Sequence, residues 1–551
     1  MKNPVVVIGI DSADPILLER WMAQGHLKNL QRLRETGSYG RLSNTVSYQD
    51  TAEKFMTTEP LWVTFLTGCL PNKTGYWKTV EYCKDTYSVF HDRVNGTYDY
   101  QEYPPFYTFA GKNRSAIFDV PATVLCEEVN GIQVLGWGGH LPFTPSHSNP
   151  PELFSELIQR HGEDLIYGND NGIWWDKAYY KRIQNDLKIA ISQRKSICFD
   201  LLSRENWDLF MTVFSESHTV GHDLYGFSEE DHPLYKFLKK KIPNSNPMLE
   251  TLEQIDLAIG EILKKVPNNA NVICFSIHGM CANYTDMLSM TFLPELLYRF
   301  SFPGFAAIGF NDSGVAPKSV IKNPFRHSWL GEIWAHNYGK NPIARMLRPL
   351  LPPQLLSRDD NGLTCPFPLL KQGDGLAWMP ARWYAPKWAE MKAFALPAFN
   401  DGHIRINLKG REANGIVEPS EYDDICNEIT EWLYEIKDAR TNKPLVKRVI
   451  RTRQSPLVDD EKLCEADLVV IWHEQPTDVV ESPKFGQIGP LPYFRLGGHR
   501  SQGFVLANGP SIAAGSTLEN SQMVDLAPTI LNLMGVNIPD YFDGKPLFVK
   551  N

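Results

Sequence analysis

The sequence lacks any apolar stretch long enough to cross a membrane. A spanning helix needs about 20 apolar residues, and the first apolar run, at residues 5–10, is far shorter. This run also lacks the small-residue cleavage site of a secretory signal. We therefore interpret it as a buried strand at the start of the fold, and we expect no membrane span.

Positive charge and disulfide spacing are lacking as well. The formal net charge is −9, which argues against binding of nucleic acid as a polymer. The nine cysteines are scattered and odd in number, and no CxxC pair occurs. Reduced thiols are the simplest interpretation, and they predict a cytoplasmic location.

What the sequence does contain is an alternation of apolar strands and amphipathic helices. After the strand at 5–10, helices are expected from Pro15 and from about Leu27. Further strands are predicted at 208–214, 271–276, 467–472 and 503–507, and further helices at 249–266 and 421–437. This alternation predicts an α/β fold with a mostly parallel sheet.

The middle of the chain interrupts this alternation. Residues 283–395 are rich in proline and aromatic side chains, as in the segment RPLLPP at 348–353. We interpret them as an insertion that forms a cap over the sheet edge. The core is then predicted in two parts, residues 1–282 and 396–551. The second part carries a histidine loop and a C-terminal helix.

The stretch MTTEPLWVTFLTG at 56–68 has the features of a short helix. Pro60 suits a first turn, and Gly68 marks an end. A helix N-terminus attracts anions, because its first N–H groups have no partner within the helix. Thr57 and Thr58 therefore have two interpretations: either one caps the helix, or one lies beside a bound phosphate or sulfate.

Potential metal ligands follow the predicted strands. Asp11, His222 and His278 come after three of them, and His218 precedes His222 by four residues, a spacing that lets both imidazoles reach one metal. His499 lies in a glycine-flanked loop. A single histidine is usually structural, but this set predicts a metal site. Imidazole ligands with few carboxylates suit zinc, with iron or manganese as alternatives.

Several segments resemble the alkaline phosphatase superfamily, in its branch of type I phosphodiesterases, nucleotide pyrophosphatases and related phosphohydrolases or phosphomutases. They are residues 8–15 (IGIDSADP), 58–71 (TEP to TGCLP), 406–412 (INLKGRE) with 415–417 (GIV), and 525–531 (DLAPTIL) with Gly535 and 543–547 (DGKPL). The resemblance covers most of the chain. It implies an α/β/α sandwich around the sheet and says little about the substrate.

The resemblance also implies roles for individual residues. Such enzymes bind two divalent cations side by side. Thr58 matches the nucleophile, Asp11 and His278 match ligands of the cation that holds it, and His222 and His499 match ligands of the other cation. Metal coordination would lower the pKa of the threonine hydroxyl, which is otherwise a poor nucleophile.

Two of the expected ligands depart from the family pattern. His218 stands where the family usually has aspartate, and it can still act as a neutral ligand. Ile277 also replaces an aspartate and cannot bind a metal; Glu216 and Asp14 are the candidates to replace this ligand. The lost negative charge should weaken binding of the second cation. Two metals, one metal, or a fold without hydrolysis are the open outcomes.

The predicted substrate side is also altered. Leu61 follows Pro60 where relatives often carry asparagine or alanine. It cannot hydrogen-bond a phosphate oxygen, which argues against a nucleotide. Lys73 and Arg500 are the nearest candidates for contacting an anion, with a solvated surface charge as the alternative for each.

We therefore predict a metal-dependent hydrolase of phosphoric esters, of the phosphodiesterase or pyrophosphatase type, that uses Thr58. Its substrate would be a small-molecule phosphate or sulfate ester, and its cofactors one or two divalent cations. Transfer of a phospho- or sulfo-group to an alcohol is the alternative reaction. A non-catalytic protein that binds an anion is the alternative from another class.

Overall fold

The computed structural model describes most of the chain. The described residues are 3–91, 97–138, 145–166, 172–309, 316, 318–319, 328–338, 343, 362–458 and 460–548. The segment 348–353 lies outside them. The limits of the insertion, at 283 and 395, stay a prediction.

The helices and strands follow the predicted alternation closely. In chain order the helices are α1 (Pro15–Ala23), α2 (Lys28–Thr36), α3 (Thr58–Thr67), α4 (Pro71–Thr74), α5 (Glu152–His161), α6 (Lys177–Arg204), α7 (Glu216–Ser228), α8 (Tyr235–Leu238), α9 (Pro247–Leu263), α10 (Leu293–Ser301), α11 (Trp329–Ala335), α12 (Pro366–Lys371), α13 (Pro380–Trp383), α14 (Tyr422–Tyr434) and α15 (Leu526–Met534). Within the described part of the chain, no helix has both the length and the apolar character needed to cross a membrane.

The strands follow in the same order. They are β1 (Val5–Ile10), β2 (Ser38–Leu42), β3 (Thr45–Tyr48), β4 (Thr51–Lys54), β5 (Val80–Cys83), β6 (Ser88–His91), β7 (Ser115–Phe118), β8 (Gly131–Leu135), β9 (His147–Asn149), β10 (Leu209–Phe214), β11 (Asn271–Ser276), β12 (Gly279–Ala282), β13 (Ala393–Leu396), β14 (Gly402–Ile406), β15 (Lys437–Asp438), β16 (Val446–Arg451), β17 (Leu468–Trp472), β18 (Val480–Ser482), β19 (Gly486–Ile488), β20 (Gly497–Arg500) and β21 (Gly503–Asn508).

The main sheet has the order β2-β21-β11-β1-β10-β7-β8-β9. Its five central strands, from β11 to β8, pair in parallel. Antiparallel pairing joins β21 to β11, β2 to β21 and β9 to β8. The predicted α/β fold with a mostly parallel central sheet is therefore confirmed.

Both faces of the sheet are covered, as the continuous apolar run of β1 requires. Successive strand residues point to opposite faces. Val6 and Ile8 belong to one buried cluster, together with apolar residues of α1, α2, α6, α7 and α9. Val5 and Val7 belong to the other, together with residues of α3 and α15. These two layers of helices produce the α/β/α sandwich that the sequence predicted.

One predicted strand lies in a different sheet from the one that the alternation suggested. β17 is present, but it pairs antiparallel with β14 and β16 in a four-stranded sheet of order β13-β14-β17-β16. Its side chains are buried on both faces, so its sequence looks like that of a central parallel strand. A short apolar run does not reveal its partners.

A fully buried arginine fixes the start of α7. Arg194 of α6 has no exposed side-chain surface and lies 2.9 Å from Asp119 and 2.8 Å from Glu216, the first residue of α7. Asp119 also accepts hydrogen bonds from the amides of Trp137 and Gly138. Two buried carboxylates therefore share one cation.

We expect Arg194→Met to destabilise the protein by about 3–5 kcal/mol, because it leaves two buried carboxylates without their cation. The midpoint of urea unfolding measures this effect. Lys195→Met is the matched control, since the neighbouring Lys195 makes a partly exposed ion pair with Glu261 that is worth less than about 1 kcal/mol. Equal destabilisation by the two variants would contradict the expectation.

Candidate functional site

Three neighbouring strands deliver the candidate residues to one edge of the main sheet. Asp11 follows β1, and its amide donates to the carbonyl of Phe214 at the end of β10, 2.9 Å away. His278 follows β11. β10 leads into α7, whose first two turns carry His218 and His222 on one face. This is the edge at which open α/β sheets bind ligands.

His499 comes from a separate two-stranded sheet. It lies in β20, which pairs antiparallel with β12 so that His499 is opposite Met280. Gly497 of the same strand lies so close to α7 that an added Cβ would be 2.1 Å from the carbonyl oxygen of Gly221. Only glycine permits this approach, and it brings the imidazole of His499 against those of α7.

Three imidazoles converge at this point. His218 Nε2 lies 3.0 Å from both His222 Nε2 and His499 Nε2. All three side chains are buried, and they form a group whose geometry suits a metal ion. A tetrahedral zinc with bonds of 2.0–2.1 Å separates its nitrogen ligands by about 3.3 Å. The spacing and the donor types therefore fit a divalent cation held by three histidines.

A backbone contact fixes the tautomer of one of these ligands. His222 Nδ1 lies 2.7 Å from the carbonyl oxygen of Gly497. A carbonyl can only accept, so Nδ1 carries the proton and Nε2 presents its lone pair to the cluster. Such a hydrogen bond to the outer ring nitrogen is the usual way in which proteins orient a metal-ligating histidine.

Thr58 lies directly beside the three histidines. It is the first residue of α3 and is buried, and its Oγ1 lies 2.8 Å from His499 Nδ1. Thr57 occupies the N-cap position, but its side chain makes no capping hydrogen bond. The interpretation of a threonine side chain as a helix cap is thus wrong for both residues.

Asp11 and His278 form a second group next to the first. His278 Nε2 lies 3.4 Å from Asp11 Oδ1, and both side chains have no exposed surface. The His278 ring is 4.5 Å from the His499 ring, centroid to centroid. The residues that the resemblance assigned to two cations are therefore all neighbours in space.

Ile277 takes no part in this polar group. It is completely buried and belongs to the apolar cluster that contains Leu61 and Trp62. Its carbonyl oxygen accepts a hydrogen bond from the side-chain amide of Asn44. Ile277 and Leu61, the two apolar departures from the family pattern, are thus members of one apolar core.

The two suggested replacement carboxylates are engaged elsewhere. Glu216 binds Arg194, and burial raises its pKa although the guanidinium opposes the shift. Asp14 caps α1 by accepting from the amides of Ile16 and Leu17, at 2.9 and 3.2 Å. Burial raises its pKa too, against the charge of Arg500. Both carboxylates have structural roles.

The two basic residues proposed for substrate binding differ in position. Lys73 lies beyond the C-terminal end of α3 and contacts Asp543 and the carbonyl of Tyr541. Arg500 follows His499 but pairs with Asp14 at 3.4 Å and with Glu474 at 3.2 Å. The structure brings neither the ammonium group of Lys73 nor the guanidinium group of Arg500 into hydrogen-bond contact with the histidines.

A different arginine, missed by the sequence reasoning, does reach the site. Arg495 Nη1 lies 3.1 Å from His222 Nε2, and Arg495 is also paired with Asp286. The only signal for it is its place four residues before His499, in the segment that leads into β20. Proximity in sequence to a candidate ligand is a weak signal, because charged residues are common in such loops.

The fold and the site together define an α/β protein of the alkaline phosphatase superfamily. The family model "Type I phosphodiesterase / nucleotide pyrophosphatase" matches residues 5–313, which is more than half of the chain. The chain therefore belongs to this family, whose members generally use divalent metal ions. A search of curated proteins found no match.

Solved structures similar to the chain include mouse and human ectonucleotide pyrophosphatase/phosphodiesterase 5. An inactive variant of the mouse protein in complex with AMP is 11% identical, with a TM-score of 0.46, over 98% of this chain and 96% of the other. A second structure of the mouse protein is 12% identical, with a TM-score of 0.47 and the same coverage. The human protein is 12% identical, with a TM-score of 0.45, over 99% and 97% of the chains.

We expect the purified protein to bind one equivalent of zinc through the three histidines. His222→Ala should weaken this binding more than about 100-fold, because a direct ligand matters more than an outer partner. Metal analysis after dialysis against limiting zinc measures the effect. His26→Ala, a partly exposed histidine bonded to Glu253, is the matched control. Full zinc content in the His222 variant would exclude this site.

Proposed function

We propose that the protein is a metal-dependent hydrolase of phosphoric esters, of the phosphodiesterase or pyrophosphatase type, with Thr58 as nucleophile. The observation that supports this best is the 2.8 Å contact between Thr58 Oγ1 and His499 Nδ1. It joins a buried hydroxyl at a helix N-terminus to a cluster of candidate metal ligands. A threonine with only a structural role does not require that neighbour.

His218, His222 and His499 would hold the cation, and zinc suits three imidazoles best. A divalent cation supplies a Lewis acid for the phosphoryl group. Asp11 and His278 would form the weaker half of the site, because Ile277 contributes no ligand. The donor set therefore favours one tightly bound cation per chain over two.

The proton positions on His499 follow from its two neighbours. When Nε2 acts as a ligand, the neutral ring keeps its proton on Nδ1 and donates it to Thr58 Oγ1. This hydrogen bond occupies one lone pair of the hydroxyl oxygen and leaves the other free to attack. It also stabilises negative charge on Oγ1 as the hydroxyl loses its own proton.

The N-terminus of α3 provides a second source of stabilisation. The first-turn amides of an α-helix lack partners within the helix, and the helix dipole places partial positive charge there. Thr58 is the first residue of this turn, so charge that develops on the attacked phosphoryl group would lie close to these amides.

In the proposed reaction Oγ1 of Thr58 attacks phosphorus, the bond to the leaving alcohol or phosphate breaks, and the hydroxyl proton is transferred to the leaving oxygen. Water then hydrolyses the phospho-threonine and restores the hydroxyl. The substrate would be a small-molecule ester, and residues of the predicted insertion would select its leaving group. A cytoplasmic location remains part of the proposal, supported by the lack of disulfides among the described cysteines.

We expect Thr58→Ala to lower the hydrolysis of an aryl phosphodiester at least about 1000-fold, because the variant lacks the attacking oxygen. Initial rates with bis(p-nitrophenyl) phosphate and zinc measure this. Thr57→Ala is the matched control, since its side chain makes no capping hydrogen bond, and it should change the rate less than about threefold.

Two outcomes would contradict the proposal. A Thr58→Ala variant with wild-type activity would remove Thr58 as nucleophile. A zinc-loaded wild-type protein that hydrolyses no phosphodiester, pyrophosphate or monoester would favour the non-catalytic alternative, in which the same residues only bind an anion.

A further inference from the structure

Arg495 occupies the boundary between solvent and the three histidines. Its side chain keeps 19% of its surface exposed, whereas the imidazoles behind it are buried. Its Nη1 lies 3.1 Å from His222 Nε2, and the proton on His222 Nδ1 makes this guanidinium group the donor. A fixed positive charge therefore lies at the outer side of the candidate metal site.

A carboxylate and two aromatic rings hold the guanidinium in place. Arg495 Nε donates to Asp286 Oδ2 at 2.9 Å, and Nη2 forms an ion pair with the same oxygen, also at 2.9 Å. Asp286 is itself buried and accepts from the side-chain amide of Asn283. The guanidinium carbon lies 5.3 and 5.8 Å from the ring centres of Phe399 and Phe494. Two sides of the guanidinium group are thus engaged, and the Nη1 edge points toward the cluster.

The charges around the histidines determine which kind of ligand this site can bind. The proposed ligands comprise neutral imidazoles and one carboxylate, Asp11. With a divalent cation bound, this group is positively charged overall, and Arg495 adds to that charge. Such a site selects anions, and a cation on His222 Nε2 frees the Nη1 hydrogens of Arg495 for another acceptor.

We propose that Arg495 binds a non-bridging oxygen of the phosphoryl group. Its positive charge would replace that of a second cation, which the family pattern binds through an aspartate at the position of Ile277. This inference rests on the proposed function and names its anion-binding residue. The sequence did not indicate Arg495 as the anion-binding residue. With Arg495 in this role, the site would recognise the tetrahedral oxyanion itself, independent of the leaving group.

The test is the affinity of the full-length, zinc-loaded protein for inorganic phosphate, measured by isothermal titration calorimetry. We expect Arg495→Ala to weaken phosphate binding about 10- to 100-fold, as expected for loss of a charge-assisted hydrogen bond, with the zinc content unchanged. The phosphate affinity of Arg495→Lys should lie between those of the wild type and Arg495→Ala, because lysine keeps the charge and loses the fixed planar geometry.

Arg440→Ala is the matched control. Arg440 is likewise partly buried and paired with a carboxylate, Asp478, at 2.6 Å, so the variant makes the same change in net charge elsewhere. Asp286→Asn provides a second variant that keeps the volume of the anchor and loosens Arg495. It should weaken phosphate binding by less than Arg495→Ala does.

The outcomes separate this inference from the proposed function. Phosphate affinity that is unchanged in Arg495→Ala with one zinc bound overturns the inference alone. Loss of zinc in that variant also overturns it, because Arg495 would then act by positioning His222. A wild-type protein that binds no zinc overturns the proposed function as well.

Discussion

The site depends on the register of three parallel strands. Gly9 of β1 lies opposite Val213 of β10 and Phe275 of β11, so the three strands end at one level. A strand advances about 3.3 Å per residue. A slip of one residue would therefore move a ligand by more than the 3.0 Å that separates the imidazole nitrogens. It would also exchange the side chains that pack against the two layers of helices. The same burial that stabilises the sheet therefore aligns the candidate ligands.

Register alone does not orient side chains, and two further devices complete the arrangement. The buried pair between Arg194 and Glu216 fixes where α7 begins, two residues before the first of its histidines. Gly497 lies close to α7 and brings β20 against this helix. The carbonyl oxygen of Gly497 accepts from His222 Nδ1 and so orients the imidazole. The first device uses charge and the second uses the absence of a side chain. Each constrains a histidine from outside the cluster.

The sequence could predict the sheet, the helices and the histidines, because apolar periodicity and strand-end positions are local properties. It could not predict which sheet contains β17, since pairing depends on distant partners. It also pointed to Lys73, which lies just after the segment 58–71 that resembles the family, beside residues with a structural role. There Asp543 contacts the end of α3, accepting from the amide of Leu70 and donating its own amide to Gly68. Segments that resemble the family therefore include contacts that anchor α3 as well as residues of the candidate site.

The sequence could not predict the place of Arg495, because its position depends on contacts with residues elsewhere in the chain. Its position depends on Asp286 and Phe399, which are distant from it in the sequence, as well as on the adjacent Phe494. The loss of a carboxylate at Ile277 and the presence of this arginine concern the same quantity, the positive charge available to a bound anion. Ile277, Leu61 and Trp62 share one apolar cluster. An aspartate at position 277 alone would place a carboxylate among apolar side chains, where its desolvation is costly. The residue at position 277 is therefore set by the packing of this core, and the anchored guanidinium of Arg495 does not depend on a ligand at that position.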